Sequence, residues 1–173
     1  MKNIIVICLL FFNLSSKSQS LTLDDLIGFM TKKPTTITEL IVNKGWKLSS
    51  SKKIDSPDHT LLISRKVSWC YNCKQGNSAD AWMYYTKELN TDIEKINGYY
   101  TTLKLDFSSL DYYNKIKNSI ALKKWKMIQD EVSEDMLFKS WTQGLYTVVL
   151  TIQTKNYQQY FSLWFYTRNP EKL

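Results

Sequence analysis

Trp69-Cys70-Tyr71-Asn72-Cys73-Lys74 is the stretch of this chain whose residue types and spacing come closest to chemistry. W-C-x-x-C-K outlines a dithiol exchange centre, in which the first cysteine caps a helix N-terminus and the helix dipole and amides lower its pKa. The flanks do not supply that setting. The preceding "TLLISRKVSW" alternates like a strand, and the following "KQGNSADAW" carries Gly76 and Asn77 before another strand-like run. That pattern predicts a hairpin loop rather than a helix after the thiols. A disulfide between Cys70 and Cys73 that stiffens the hairpin tip is the expectation, and thiol–disulfide exchange is the competing reading. So short a ring constrains little chain entropy, which limits what the bridge adds to stability.

Other reactive types are sparse. His59 is the single histidine and sits in the polar stretch "KKIDSPDHTL", where it has no nucleophile elbow beside it. With Cys70 and Cys73 it makes three zinc donors at most, one short of a structural site. Ser49-Ser50-Ser51-Lys52 satisfies S-x-x-K, but the further motifs of the penicillin-recognising enzymes are missing. Asp130, Glu131, Glu134 and Asp135 lack calcium-loop spacing and its glycine, and read as a solvated loop. No metal, no cofactor and no enzymatic reaction is expected.

The aromatics carry the remaining signal. In "QQYFSLWFYTR" alternation sends Phe161, Leu163 and Phe165 to one face and Tyr160, Trp164 and Tyr166 to the other. Tyr and Trp are favoured at protein interfaces. The expected contact surface combines Trp69, Tyr71 and Lys74 at the hairpin tip with Trp82, Tyr160, Trp164 and Tyr166 on the sheet.

The elements that would position these residues come in two runs. Thr22-Leu23-Asp24-Asp25 reads as a capping box opening a leading helix over 22–31, which Pro34 closes. Thr36-Ile37-Thr38-Glu39 and Ser108-Ser109-Leu110-Asp111 read as two further boxes, and Gly45 as a helix C-cap. "ITELIVNKGWKL" (37–48) and "IKNSIALKKWKM" (116–127) align without a gap, pairing Trp46 with Trp125. A short strand bearing Trp46 or Trp125 follows each helix, with strand-like runs next at 60–69, 79–85 and 98–106, and again at 136–141, 145–153 and 158–166. The expected fold class is α+β: two tandem helix-then-antiparallel-strand units, about 35–107 and 108–168, with the helices packed on one face of the sheet.

That order of elements, with the Lys-Gly-Trp-Lys helix exit, resembles the small exported β-lactamase-inhibitor-like and outer-membrane-assembly-lipoprotein-like folds. The resemblance covers roughly residues 21–168 and rests on architecture, since it includes no catalytic motif. It implies a sheet face that grips another protein.

The N-terminus sets the expected location. A short basic start, an apolar run from Ile4 to Phe12 and small residues at Ser16 and Ser18 read as a signal peptide over 1–18. The remaining 19–173 is one domain's length. Removing Lys2 and Lys17 leaves 21 basic against 16 acidic residues, a net charge of about +5. Only Arg65 and Arg168 are arginines, which argues against nucleic acid, because lysine cannot reproduce the bidentate fork. The sequence thus predicts a periplasmic or extracellular binding module for another protein, inhibitor-like or immunity-like, without a transmembrane anchor. An envelope-assembly accessory is the third reading.

Overall fold

A computed structural model describes residues 21–58, 62–74, 78–89 and 99–167. The expected signal peptide, His59, the Gly76-Asn77 turn and Arg168 lie outside these residues.

Among the described residues, three short helices and eight strands follow in order: α1 (Leu23–Phe29), α2 (Pro34–Val42), β1 (Trp46–Asp55), β2 (Leu62–Tyr71), β3 (Ala81–Leu89), β4 (Tyr99–Phe107), α3 (Leu110–Leu122), β5 (Lys126–Val132), β6 (Met136–Gln143), β7 (Tyr146–Lys155) and β8 (Gln158–Thr167). All eight strands form one antiparallel sheet in the order β1-β2-β3-β4-β8-β7-β6-β5. The expected class is corrected accordingly. Helix and strand are both present, but the chain is predominantly β, and its strands form one continuous sheet rather than two helix–strand units. The physical reason lies in β4 and β8. Leu103, Leu105 and Phe107 oppose Phe165, Leu163 and Phe161, and all six are buried. Two separate units would each leave an apolar edge strand with unpaired backbone in water. Pairing β4 with β8 removes both edges.

The register assigns every strand residue to a face. Leu48, Trp69, Met83, Leu105, Leu163, Leu150, Lys139 and Asp130 form one row across the whole sheet. Its central members pack with Leu26 and Phe29 of α1, Ile37 and Ile41 of α2, and Tyr113, Ile116 and Ile120 of α3 in a single core. The helices therefore cover this face and leave the other bare. The adjacent row, Lys47, Cys70, Trp82, Asp106, Ser162, Thr151, Phe138 and Glu131, points the opposite way.

Local signals set the helix ends, not always where the sequence placed them. Thr22 caps α1 in a full capping box with Asp25. Pro34 does not close that helix; it opens α2 at the first turn, where its missing N–H costs nothing. The cap of α2 is Lys33 without a side-chain bond, so the Thr36 box is not used. Ser109, not Ser108, caps α3, accepting from the Tyr112 N–H at 3.2 Å. Gly45 takes φ 86° as expected of a C-cap glycine. Lys124 does the same work after α3 at φ 56°. Each precedes a buried tryptophan, Trp46 and Trp125.

Both edge strands run through residues that the sequence pattern predicts outside strands. Ser49–Lys52, expected to follow a strand, lies inside β1, which runs ten residues. Asp130 and Glu131, expected in a loop, lie in β5; Glu134 and Asp135 fall in the turn after it. Both strands are exposed along nearly their whole length, so neither needs apolar alternation.

Candidate functional site

The Cys70–Cys73 disulfide is present. Cys70 is the second-last residue of β2, and Cys73 stands in the connection to β3, so the bridge folds the chain back just past the strand end. Asn72, at φ 51°, donates through Nδ2 to Asp80 Oδ2 at 2.6 Å. Lys74 pairs with Asp80 Oδ1 at 3.3 Å, and the Lys74 N–H donates to the Ser78 carbonyl at 2.8 Å. The bond from Asn72, against a smaller effect of burial, and the Lys74 charge hold the Asp80 carboxyl below the usual aspartate range. Among the described residues, the next element after the cysteines is the strand β3, not a helix. Cys70 is buried, and a disulfide sulfur has no thiolate to offer.

The predicted contact residues separate onto different surfaces. Trp69 is fully buried on the helix-covered face, where its indole N–H donates to Thr38 Oγ1 of α2 at 2.9 Å. It holds the fold together and is not part of a platform. Tyr71 is half-buried at the strand end, its ring 5.6 Å from that of Trp46. Lys74 is largely exposed beside it. Trp82, Tyr160, Trp164 and Tyr166 lie together on the bare face, with Tyr160, Trp164 and Tyr166 exposed at 46%, 37% and 39%.

The structure adds three residues that the sequence reading passed over. Tyr84 stacks on Trp82 with ring centroids 6.3 Å apart and planes at 18°. Lys104 of β4 reaches between Tyr84 and Trp164, its Nζ 5.6 Å and 4.8 Å from their ring centroids. Asp106 pairs with Lys104 at 2.7 Å and accepts a hydrogen bond from the Ser162 hydroxyl. Burial, then the Asp106 charge, push the Tyr84 phenol above its ordinary pKa. Alternation along "TTLKLDF" was the available signal for Lys104 and Asp106, since it places both opposite the leucines.

Beside this cluster an open hollow of about 400 Å³ is lined by Trp82, Tyr160, Lys104, Lys155, Asp106 and Ser162. Among the described residues, no group of histidine, cysteine and acidic side chains is arranged to hold a metal ion, and no helix is long and apolar enough to cross a membrane. What the arrangement offers is flat aromatic area, held in place by a lysine, next to paired donors and acceptors. No family model, curated protein or solved structure matches the chain.

Proposed function

We propose that this chain is an exported, non-enzymatic binding module that grips another protein with the bare face of its sheet and the disulfide-stiffened β2–β3 hairpin beside it. One observation carries the reading: Tyr160, Trp164 and Tyr166 stand exposed on the face the helices leave uncovered, with Lys104 fixed against Trp164. Large aromatic rings lose little side-chain freedom on contact and bury much area, which is why they anchor interfaces. A disulfide accords with an oxidising compartment.

The test is capture from extracts of the producing cells on immobilised protein, comparing wild type with Tyr160→Ala/Trp164→Ala/Tyr166→Ala and with Cys70→Ala/Cys73→Ala. A protein retained by wild type and by the cysteine variant, and lost from the triple variant, supports the reading. Equal retention by wild type and both variants places the contact elsewhere. Reduction of a disulfide substrate by wild type alone, and not by the cysteine variant, replaces binding with exchange.

A further inference from the structure

We propose that the two edges of the sheet, β1 and β5, are complementary to each other, so that copies of this chain associate head to tail by pairing β1 of one with β5 of the next.

The edges are long and uncovered. All seven residues of β5 are exposed, and eight of ten in β1. Each edge presents a row of backbone donors and acceptors that only another strand can satisfy in kind. Because the sheet is antiparallel throughout and has eight strands, β1 and β5 run in opposite directions. A second copy carried sideways with its helices on the same side therefore brings β1 antiparallel to β5, continuing the sheet without reversal.

Charge selects the pairing. β1 is basic through Lys47, Lys52 and Lys53, against Asp55. β5 and the turn after it carry Asp130, Glu131, Glu134 and Asp135, against Lys126. Two β1 edges would set lysine against lysine, and two β5 edges acid against acid. The mixed pairing alone is attractive, which is how like charges exclude unwanted partners.

The faces also match. Lys53 opposes Arg65 in β2 and so shares the helix-covered face with Val67 and Trp69, whereas Lys52 opposes Lys66 on the bare face. Asp130 opposes Lys139, in the row of Leu150 on the covered face, and Glu131 opposes Phe138 on the bare face. Setting Lys53 opposite Asp130 puts Lys52 opposite Glu131, each pair on one face. Backbone direction alternates in step with side-chain face along every strand, so this register also aligns the edge hydrogen-bonding groups. The stretch Ser51–Ile54 against Gln129–Val132 lies between the irregularities at Leu48/Ser50 and at Met127/Gln129. Those irregularities hold the ladder to a few residues, so the contact is small and the association weak. A head-to-tail contact of this kind closes into a ring or runs on as a filament according to the rotation between copies.

Sedimentation velocity of the purified protein from micromolar to millimolar concentration at low salt tests the proposal. Wild type is expected to show concentration-dependent oligomers that added salt dissolves. Lys52→Glu/Lys53→Glu and Asp130→Lys/Glu131→Lys are each expected to weaken association by about tenfold or more, from two cross-strand pairs turned repulsive. Both are expected to fold but to melt somewhat below wild type, because the first loses the Lys53–Asp55 pair and the second the Lys139–Asp130 pair, so association is compared at a temperature where each is folded. An equimolar mixture of the two variants restores association, since each then offers the other an oppositely charged edge. The neutral pair Asp130→Asn/Glu131→Gln gives an intermediate loss without placing a lysine beside Lys139. A wild type that stays monomeric throughout, oligomers indifferent to both reversals, or a mixture that remains monomeric each overturns the proposal.

Discussion

The Lys104 ammonium lies 4.8 Å from the centroid of the Trp164 ring while pairing with Asp106 at 2.7 Å. One cation thus fixes an aromatic ring of β8 and a carboxylate of its own strand, at the junction where the two halves of the sheet meet. The side chain is mostly shielded, so both interactions are worth more than at a freely solvated site. Lys104→Met is expected to lower stability by about 1 kcal/mol in urea unfolding. Lys104→Arg retains most of it, because guanidinium also stacks on indole. Equal losses in both variants would show that the contact with Trp164 contributes nothing.

Trp69 and Trp46 are both fully buried, yet they differ in one bond. Trp69 donates to Thr38 Oγ1 at 2.9 Å, whereas Trp46 Nε1 has no hydrogen-bond partner among the described residues. Replacing each by phenylalanine removes similar volume. Trp69→Phe also leaves Thr38 without its donor, while Trp46→Phe removes a buried N–H that nothing satisfies. The first is expected to cost about 1 kcal/mol more than the second. Paired denaturant titrations measure the difference, and equal losses would assign the Trp69 contribution to packing alone.

Gly45 and Lys124 make the same helix exit with different residues. A Cβ on Gly45 would come within 3.2 Å of Tyr71 Cε2 at a backbone φ of 86°. Gly45→Ala is therefore expected to destabilise by about 1 kcal/mol or more. Lys124, at φ 56°, holds a conformation that favours glycine, and Lys124→Gly is expected to stabilise by about 0.5–1 kcal/mol. Thermal melts of the two variants should move in opposite directions.

The contrast between Trp69 and Trp82 shows what the sequence carried and what it did not. Strand number in each run, the capping box at Thr22 and the turns at Gly144 and Asn156 were legible, because apolar alternation and turn residues are local signals. The faces of β8 were legible too: Phe161, Leu163 and Phe165 go inward together. Trp69 is expected at the contact surface but lies in the core, and the error arises because "VSWCY" is nearly all apolar and gives no alternation to read. Only its register against Met83, with Cys70 against Trp82, puts the two tryptophans on opposite faces. The full length of β1 and β5 was hidden for the opposite reason, since they are polar edges with an irregularity that breaks period two. The pairing of β4 with β8, which makes one sheet of two strand runs, joins residues some 60 apart and leaves no local trace.

Asp25 gives the fold an acid-sensitive point. Burial raises its pKa, but bonds from the Thr22 N–H at 2.8 Å and from Lys44 Nζ at 2.9 Å outweigh this and leave it lowered. A carboxyl whose folded pKa is depressed contributes stability above its unfolded pKa of about 3.9, and loses it as pH falls through the folded value. Wild type should exceed Asp25→Asn in melting temperature at neutral pH, with the gap closing as the pH falls below the ordinary aspartate range. A gap independent of pH would place the contribution in shape rather than charge.

The disulfide closes so small a ring that its effect on stability and its effect on binding can be separated. The chain-entropy relation for four residues gives about 2 kcal/mol, and less where the reduced hairpin keeps its other ties. Those ties are present: Asn72 and Lys74 both hold Asp80, and the Asp80 N–H donates to the Tyr71 carbonyl at 3.1 Å. Cys70→Ala/Cys73→Ala is therefore expected to fold, with a loss of about 1–2 kcal/mol in denaturant titration. Alanine is the apt replacement because Cys70 is buried, where a serine hydroxyl would need a partner. Reducing wild type with excess dithiol should lower its stability by the same amount and leave the variant unchanged. A variant that fails to fold, or a reduced wild type much less stable than the variant, would mean that the bridge organises more of the sheet than the hairpin at its end.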